Sequence, residues 1–73
     1  MTVSDLKIIV SKGGGLILDS QKYPVSELKI IASKASQSRA KVILKNPHTI
    51  SVSDLKIIAS KSDGCVIFYF FDI

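Results

Sequence analysis

The stretch SDLKIIASK, Ser53–Lys61, occurs twice more with small changes, as SELKIIASK at Ser26–Lys34 and SDLKIIVSK at Ser4–Lys12. Whether this phrase is a helix or a strand decides the fold. As a strand it sets Leu6, Ile8 and Val10 on one side and leaves Ile9 with Lys7 and Ser11 on the other. As a helix it gathers Val3, Leu6, Ile9 and Val10 and turns Ile8 outward. The flanking residues favour the helix. Thr2-Val3-Ser4-Asp5 and Ser51-Val52-Ser53-Asp54 have the form of N-terminal caps, with a carboxylate in the first turn. Gly13, Gly14, Gly15 and Gly64 follow the phrase, where a left-handed C-terminal cap calls for glycine. The middle copy runs on through Ala35-Ser36-Gln37-Ser38-Arg39-Ala40, long enough for a helix and poor as a strand. Pro24 stands where the other copies have Thr or Ser, and suits a first-turn position.

The copies are 22 and 27 residues apart, measured at Leu6, Leu28 and Leu55. Each is followed by a short apolar run: Leu16-Ile17-Leu18, Val42-Ile43-Leu44 and Val66-Ile67-Phe68. These runs are rich in β-branched and aromatic residues, and turn formers such as Asp19-Ser20 and Asn46-Pro47 bound them, so they read as strands. Strands separated by a helix are parallel and joined by right-handed crossovers. The expected fold is α/β: three tandem helix–strand repeats in a short solenoid, with a three-stranded parallel sheet and the helices on one face. One domain of three units is expected, at about residues 2–23, 24–50 and 51–73.

Leu6-Lys7-Ile8-Ile9-Val10 with Leu16–Leu18, Leu28–Ala32 with Val42–Leu44, and Leu55–Ala59 with Gly64–Phe68 fit the form L-x-x-[IV]-[AV], a glycine, then V-x-[FL]. The unit thus resembles short helix–strand repeats of small uncharacterised bacterial proteins. That resemblance implies the architecture and no chemistry. The middle unit departs from it in lacking the glycine.

A chain of 73 residues buries only about 60% of its unfolded surface. Cys65 is its single cysteine, so no disulfide can form within the chain. A lone thiol in an apolar strand reads as a small buried hydrophobe and fits a reducing compartment. With His48 the single histidine, neither a metal site nor a cofactor is expected. The opening residues lack a basic leader before a signal-length apolar run. The run Cys65–Phe71 falls well short of the ~20 residues that span a bilayer. A cytoplasmic, membrane-free protein is therefore expected.

Little in the sequence suggests catalysis. Cys65 opens the last strand and His48 lies in a loop, with no third group to orient them; a Cys65-dependent enzyme would show thiol reactivity in the folded state. Asp5, Glu27 and Asp54 recur at helix starts, where the helix dipole accounts for them. Lys12-Gly13-Gly14-Gly15 follows a helix and precedes a strand, the reverse of a phosphate loop. Serines 4, 11, 26, 33, 53 and 60 make a repeated polar face.

The unexplained feature is apolar surface. Ile8, Ile30 and Ile57 point away from the helical core face. Leu16, Leu18, Val42, Leu44, Val66 and Phe68 share the sheet face toward the helices, so Ile17, Ile43 and Ile67 point the other way, extended by Tyr69 and Phe71. A shifted register or a C-terminal segment folded over the sheet would remove this surface. Otherwise it exceeds what monomers expose, and the last strand is an apolar edge without a gatekeeper. A non-enzymatic module that self-associates, as a dimer by preference, or binds another protein is the favoured reading. The alternative is a nucleic-acid binder. Its contacts would be the column Lys7, Lys29 and Lys56 with Lys12, Lys34 and Lys61 beside it, within a net charge of +4. Even spacing of the basic residues, and aromatics crowded between Phe68 and Phe71, speak for a solvated surface instead.

Overall fold

The first helix, α1 (Val3–Ser11), begins at a reciprocal cap. The Thr2 hydroxyl accepts from the Asp5 N–H at 3.2 Å, and the Asp5 carboxylate accepts from the Thr2 N–H at 3.2 Å. This geometry comes from a computed structural model that describes residues 2–70. The second helix, α2 (Val25–Ser38), begins at Pro24. Pro24 takes the cap position that Thr2 and Ser51 hold in the other copies, and its carbonyl accepts from the Glu27 and Leu28 N–H groups at 3.0 and 3.1 Å. No side chain caps α2. The third helix, α3 (Val52–Ser62), starts with the Ser51 hydroxyl accepting from the Asp54 N–H at 3.2 Å.

All three helices are followed by left-handed backbone. Gly13 takes φ 91° after α1, and Asp63 and Gly64 take φ 51° and 85° after α3. The middle unit has no glycine, and Arg39 adopts φ 64° instead. A side chain there costs about 1–2 kcal/mol relative to right-handed backbone. Gly14 is needed for a different reason. Its N–H donates to the Ile9 carbonyl at 3.0 Å, and a Cβ on it would lie 2.7 Å from Ile9 Cγ2.

Strands β1 (Leu16–Asp19), β2 (Val42–Lys45) and β3 (Val66–Tyr69) form one sheet in that order, all parallel. The register is in step with the sequence columns: Leu16, Val42 and Val66 are partners, then Ile17, Ile43 and Ile67, then Leu18, Leu44 and Phe68. The chain is therefore α/β in helix–strand order three times. Short 3-10 turns at Ser20–Lys22 and Pro47–Thr49 leave the first two strands.

The core lies between the helices and the Leu16/Leu18 side of the sheet. Leu18, Val42 and Leu44 are buried there with Leu6, Val10, Leu28, Ile31, Ala32, Ala35 and Ile58. One expectation fails. The helical face that gathers Leu6, Ile9 and Val10 in the first copy corresponds to Leu28, Ile31 and Ala32 in the second and Leu55, Ile58 and Ala59 in the third, and all nine are expected to be buried. Of the three in α3 only Ile58 is fully buried, with Leu55 half-buried and Ala59 exposed, and in α1 Ile9 is half-buried. Nothing packs beyond α3 among the described residues. No helix among them is long and apolar enough to cross a membrane.

Two substitutions separate these backbone demands. Arg39→Gly should raise stability by about 0.5–1 kcal/mol by relieving the left-handed residue. Gly14→Ala should lower it through the clash with Ile9. Urea midpoints moving in opposite directions at unchanged slope would show both effects.

Candidate functional site

The parallel register brings Ile17, Ile43 and Ile67 into one row across the sheet, on the side away from the helices. Ile17 is 68% exposed and Ile67 49%; Ile43, flanked by both, is half-buried. The next row on that side is Asp19, Lys45 and Tyr69. The Lys45 ammonium lies 6.0 Å from the centre of the Tyr69 ring, near enough for a cation–π contact. Ile17, Ile43, Lys45 and Tyr69 line a shallow depression of about 210 Å3. The register thus unites four of the five residues expected on this face. Phe71 lies outside the described residues. Phe70, exposed and 6.5 Å from the Phe68 ring centre to centre, is an additional aromatic at this end of the sheet.

Ile8, Ile30 and Ile57 stand 59%, 41% and 39% exposed on the helices. They belong to the opposite side of the molecule from the Ile17 row. What the sequence suggested as one apolar surface is two.

The lysine column is partly committed. Lys7 of α1 pairs with Glu27 of α2 at 2.6 Å, and Lys29 of α2 pairs with Asp54 of α3 at 3.3 Å. Lys56 makes no ion pair among the described residues, and Lys12, Lys56 and Lys61 are exposed. Lys29, Lys34 and Lys61 meet Ile30, Ser33 and Gln37 around a second depression of about 260 Å3 between α2 and α3.

Cys65 is buried, its carbonyl accepting from the Val42 N–H at 2.9 Å, whereas His48 is exposed. A buried thiol is poorly placed for nucleophilic attack. Among the described residues no group of three or more His, Cys, Asp or Glu residues could hold a metal ion.

Two serines outside the repeated phrase carry structural contacts that the sequence does not signal. Ser20 is buried, and its Oγ lies 2.8 Å from the carbonyl oxygens of both Lys45 and Asn46, tying the turn after β1 to the end of β2. The Ser38 hydroxyl donates to the Val10 carbonyl, joining the end of α2 to α1. Short polar side chains in connecting segments are common, and their partners 25 and 28 residues away leave no local periodicity.

No protein-family model, no curated protein and no solved structure matches the chain.

Asp19, at the rim of the sheet face, has a pKa below the usual carboxylate value. Its carboxylate accepts from the Gln21 N–H at 3.0 Å, the leading cause. A hydrogen bond from the Asn46 side chain and the nearby Lys22 and Lys45 charges add to it, against some desolvation. A carboxylate with a depressed folded pKa contributes stability in full above its unfolded pKa of about 3.9, and loses it as pH falls through the folded value. The stability gap between wild type and Asp19→Asn should therefore be constant above about pH 5 and close in acid. Urea titrations at a series of pH values would check it.

Proposed function

We propose that the chain is a three-unit solenoid and a non-enzymatic binding module that associates through the open face of its sheet, with a second copy as the occupant. One observation carries this reading: the sheet is wholly parallel, and among the described residues nothing covers the face with the row Ile17, Ile43 and Ile67. Parallel sheets occur almost only with both faces covered. Solenoids that leave a sheet face open use it to bind. The pairing of Lys45 with Tyr69 beside the isoleucines gives the face a polar rim around an apolar centre, as at protein–protein interfaces. A chain this small also gains most from burial that it cannot provide alone.

Light scattering behind a sizing column across a concentration series tests the reading. The wild type is expected to grow in mass with concentration, and Ile17→Lys or Ile43→Lys to lower that mass by removing the contact through the sheet face. Both positions face away from the core, so neither substitution should cost folding. A wild type that stays monomeric at high concentration, unchanged by these substitutions, would sink the idea.

Nucleic-acid binding is the weaker reading, because Lys7 and Lys29 already serve acidic partners. The depression that gathers Lys34 and Lys61 beside Lys29 is its best support. Retention of the protein on immobilised DNA and RNA should depend only weakly on salt. A steep loss with rising salt would mark counterion release and favour the lysines instead.

A further inference from the structure

The ion pairs between helices follow a rule. The lysine at the fourth position of the phrase in one unit meets the carboxylate at the second position of the phrase in the next: Lys7 with Glu27, and Lys29 with Asp54. Continued in both directions, the rule leaves Lys56 needing a carboxylate from a following unit and Asp5 needing a lysine from a preceding one. Asp5 turns its carboxylate back onto the Thr2 N–H. At α3 only the Ser51 hydroxyl caps the helix, through the Asp54 N–H, and the Asp54 carboxylate instead reaches Lys29 of the preceding unit.

Burial follows the same rule. Val52, Leu55, Lys56 and Ala59 lie at i, i+3, i+4 and i+7, a single stripe of α3. Val52, Lys56 and Ala59 are exposed and Leu55 is half-buried. The corresponding Val10 and Ala32 are completely buried, and Leu6 and Leu28 are buried, in the two units that have a neighbour on that side. Opposite changes mark the other end. Asp5 is exposed and Ile9 half-buried, while Glu27 and Asp54 are half-buried and Ile31 and Ile58 fully so. Each end of the molecule thus presents half of an interface that the chain forms twice inside itself. Terminal units of stacked proteins have polar outer flanks, whereas this flank of α3 carries Val52, Leu55 and Ala59.

We propose that copies of this chain stack head to tail, the α3–β3 flank of one receiving the α1–β1 flank of the next. The proposal rests on the reading that the chain is a self-associating solenoid, and adds a second pair of surfaces for that association. In the stack Lys56 pairs with Asp5 of the next copy, and the Val52 to Ala59 stripe is covered by that copy's α1. The strand edges agree. The Leu16 N–H donates to the Lys41 carbonyl and the Val42 N–H to the Cys65 carbonyl, so the Val66 N–H takes the Gly15 carbonyl of the next copy. The isoleucine row then continues from Ile67 to the neighbour's Ile17. Such contacts are heterologous, and close into a ring or run on as a filament.

A zero-length carbodiimide, which joins a carboxylate to an amine only in direct contact, tests this on the intact protein. The experiment mixes isotopically light and heavy copies and reads the linked peptides by mass spectrometry. Lys7–Glu27 and Lys29–Asp54 links within one copy serve as internal standards. An Asp5–Lys56 link of mixed isotope composition is expected in the wild type. Ala59→Arg, a change at an exposed position, should reduce it at least tenfold, and Ile17→Lys should leave it in place. Assemblies that form without that link, while the two internal links appear, overturn the stack and leave the sheet-face reading standing. So does a link that survives Ala59→Arg or disappears in Ile17→Lys. A protein that stays monomeric throughout overturns both readings.

Discussion

The structure depends on the packing of α2. Its inward residues Leu28, Ile31, Ala32 and Ala35 are all essentially inaccessible, with α1 on one flank, α3 on the other and the sheet beneath. Neither outer helix achieves this, since each has one flank without a neighbour among the described residues. Alanines at two of the four positions leave room for close approach on both sides, and close packing makes the burial count. The register of the sheet follows from the same contact. Val42 and Leu44 lie fully buried on β2, and a slip of one residue would bring Ile43 inward and put both of them outside. Once β2 is fixed, β1 and β3 must pair in step with it to keep Leu18 and Phe68 on the helical side.

Much of this was legible in the sequence because repetition carries positional information. Three copies of one phrase, each followed by an apolar triplet, define columns, and the sheet pairs its residues column by column. The caps were legible too, since Thr2, Asp5 and Ser51 act over a single turn. Legibility fails where equivalence fails. Ala32 and Ala59 occupy one column in almost identical surroundings of sequence, yet one is buried and the other exposed, because α2 has a neighbour on that flank and α3 has none among the described residues. Arg39 is the reverse case: the missing glycine is visible, but not which residue takes its left-handed backbone. Ser20 and Ser38 act across units, beyond the reach of local pattern.

The carboxylate column shows how one sequence position takes on different duties. In the first unit Asp5 completes a capping box, in the second Glu27 pairs with Lys7 above a proline cap, and in the third Asp54 pairs with Lys29. Pro24 has no N–H to offer a reciprocal cap, so Glu27 has no competing partner at its own helix start. Half-exposed pairs of this kind contribute only about 0–1 kcal/mol each. Their value lies in register, since a lysine in the fourth column meets a carboxylate in the second only when adjacent helices are level. The net charge of +4 overstates the field available to a polyanion, because two lysines of the column are already matched.

The bare sheet face and the uncovered flanks point in different directions, one perpendicular to the sheet and one along the line of strands. On the proposed reading they are coupled without sharing a residue. Stacking adds three isoleucines per copy to one continuous strip, so each copy that joins lengthens the surface by which two stacks meet. Contacts too weak to hold two single chains then act many at a time, and avidity rises with no new kind of contact. The reverse also holds, since two stacks held face to face keep their ends at high local concentration. A 73-residue chain with four-residue strands has little burial of its own to spare. On the proposed reading, its apolar rows along both directions are the means by which assembly supplies the remainder.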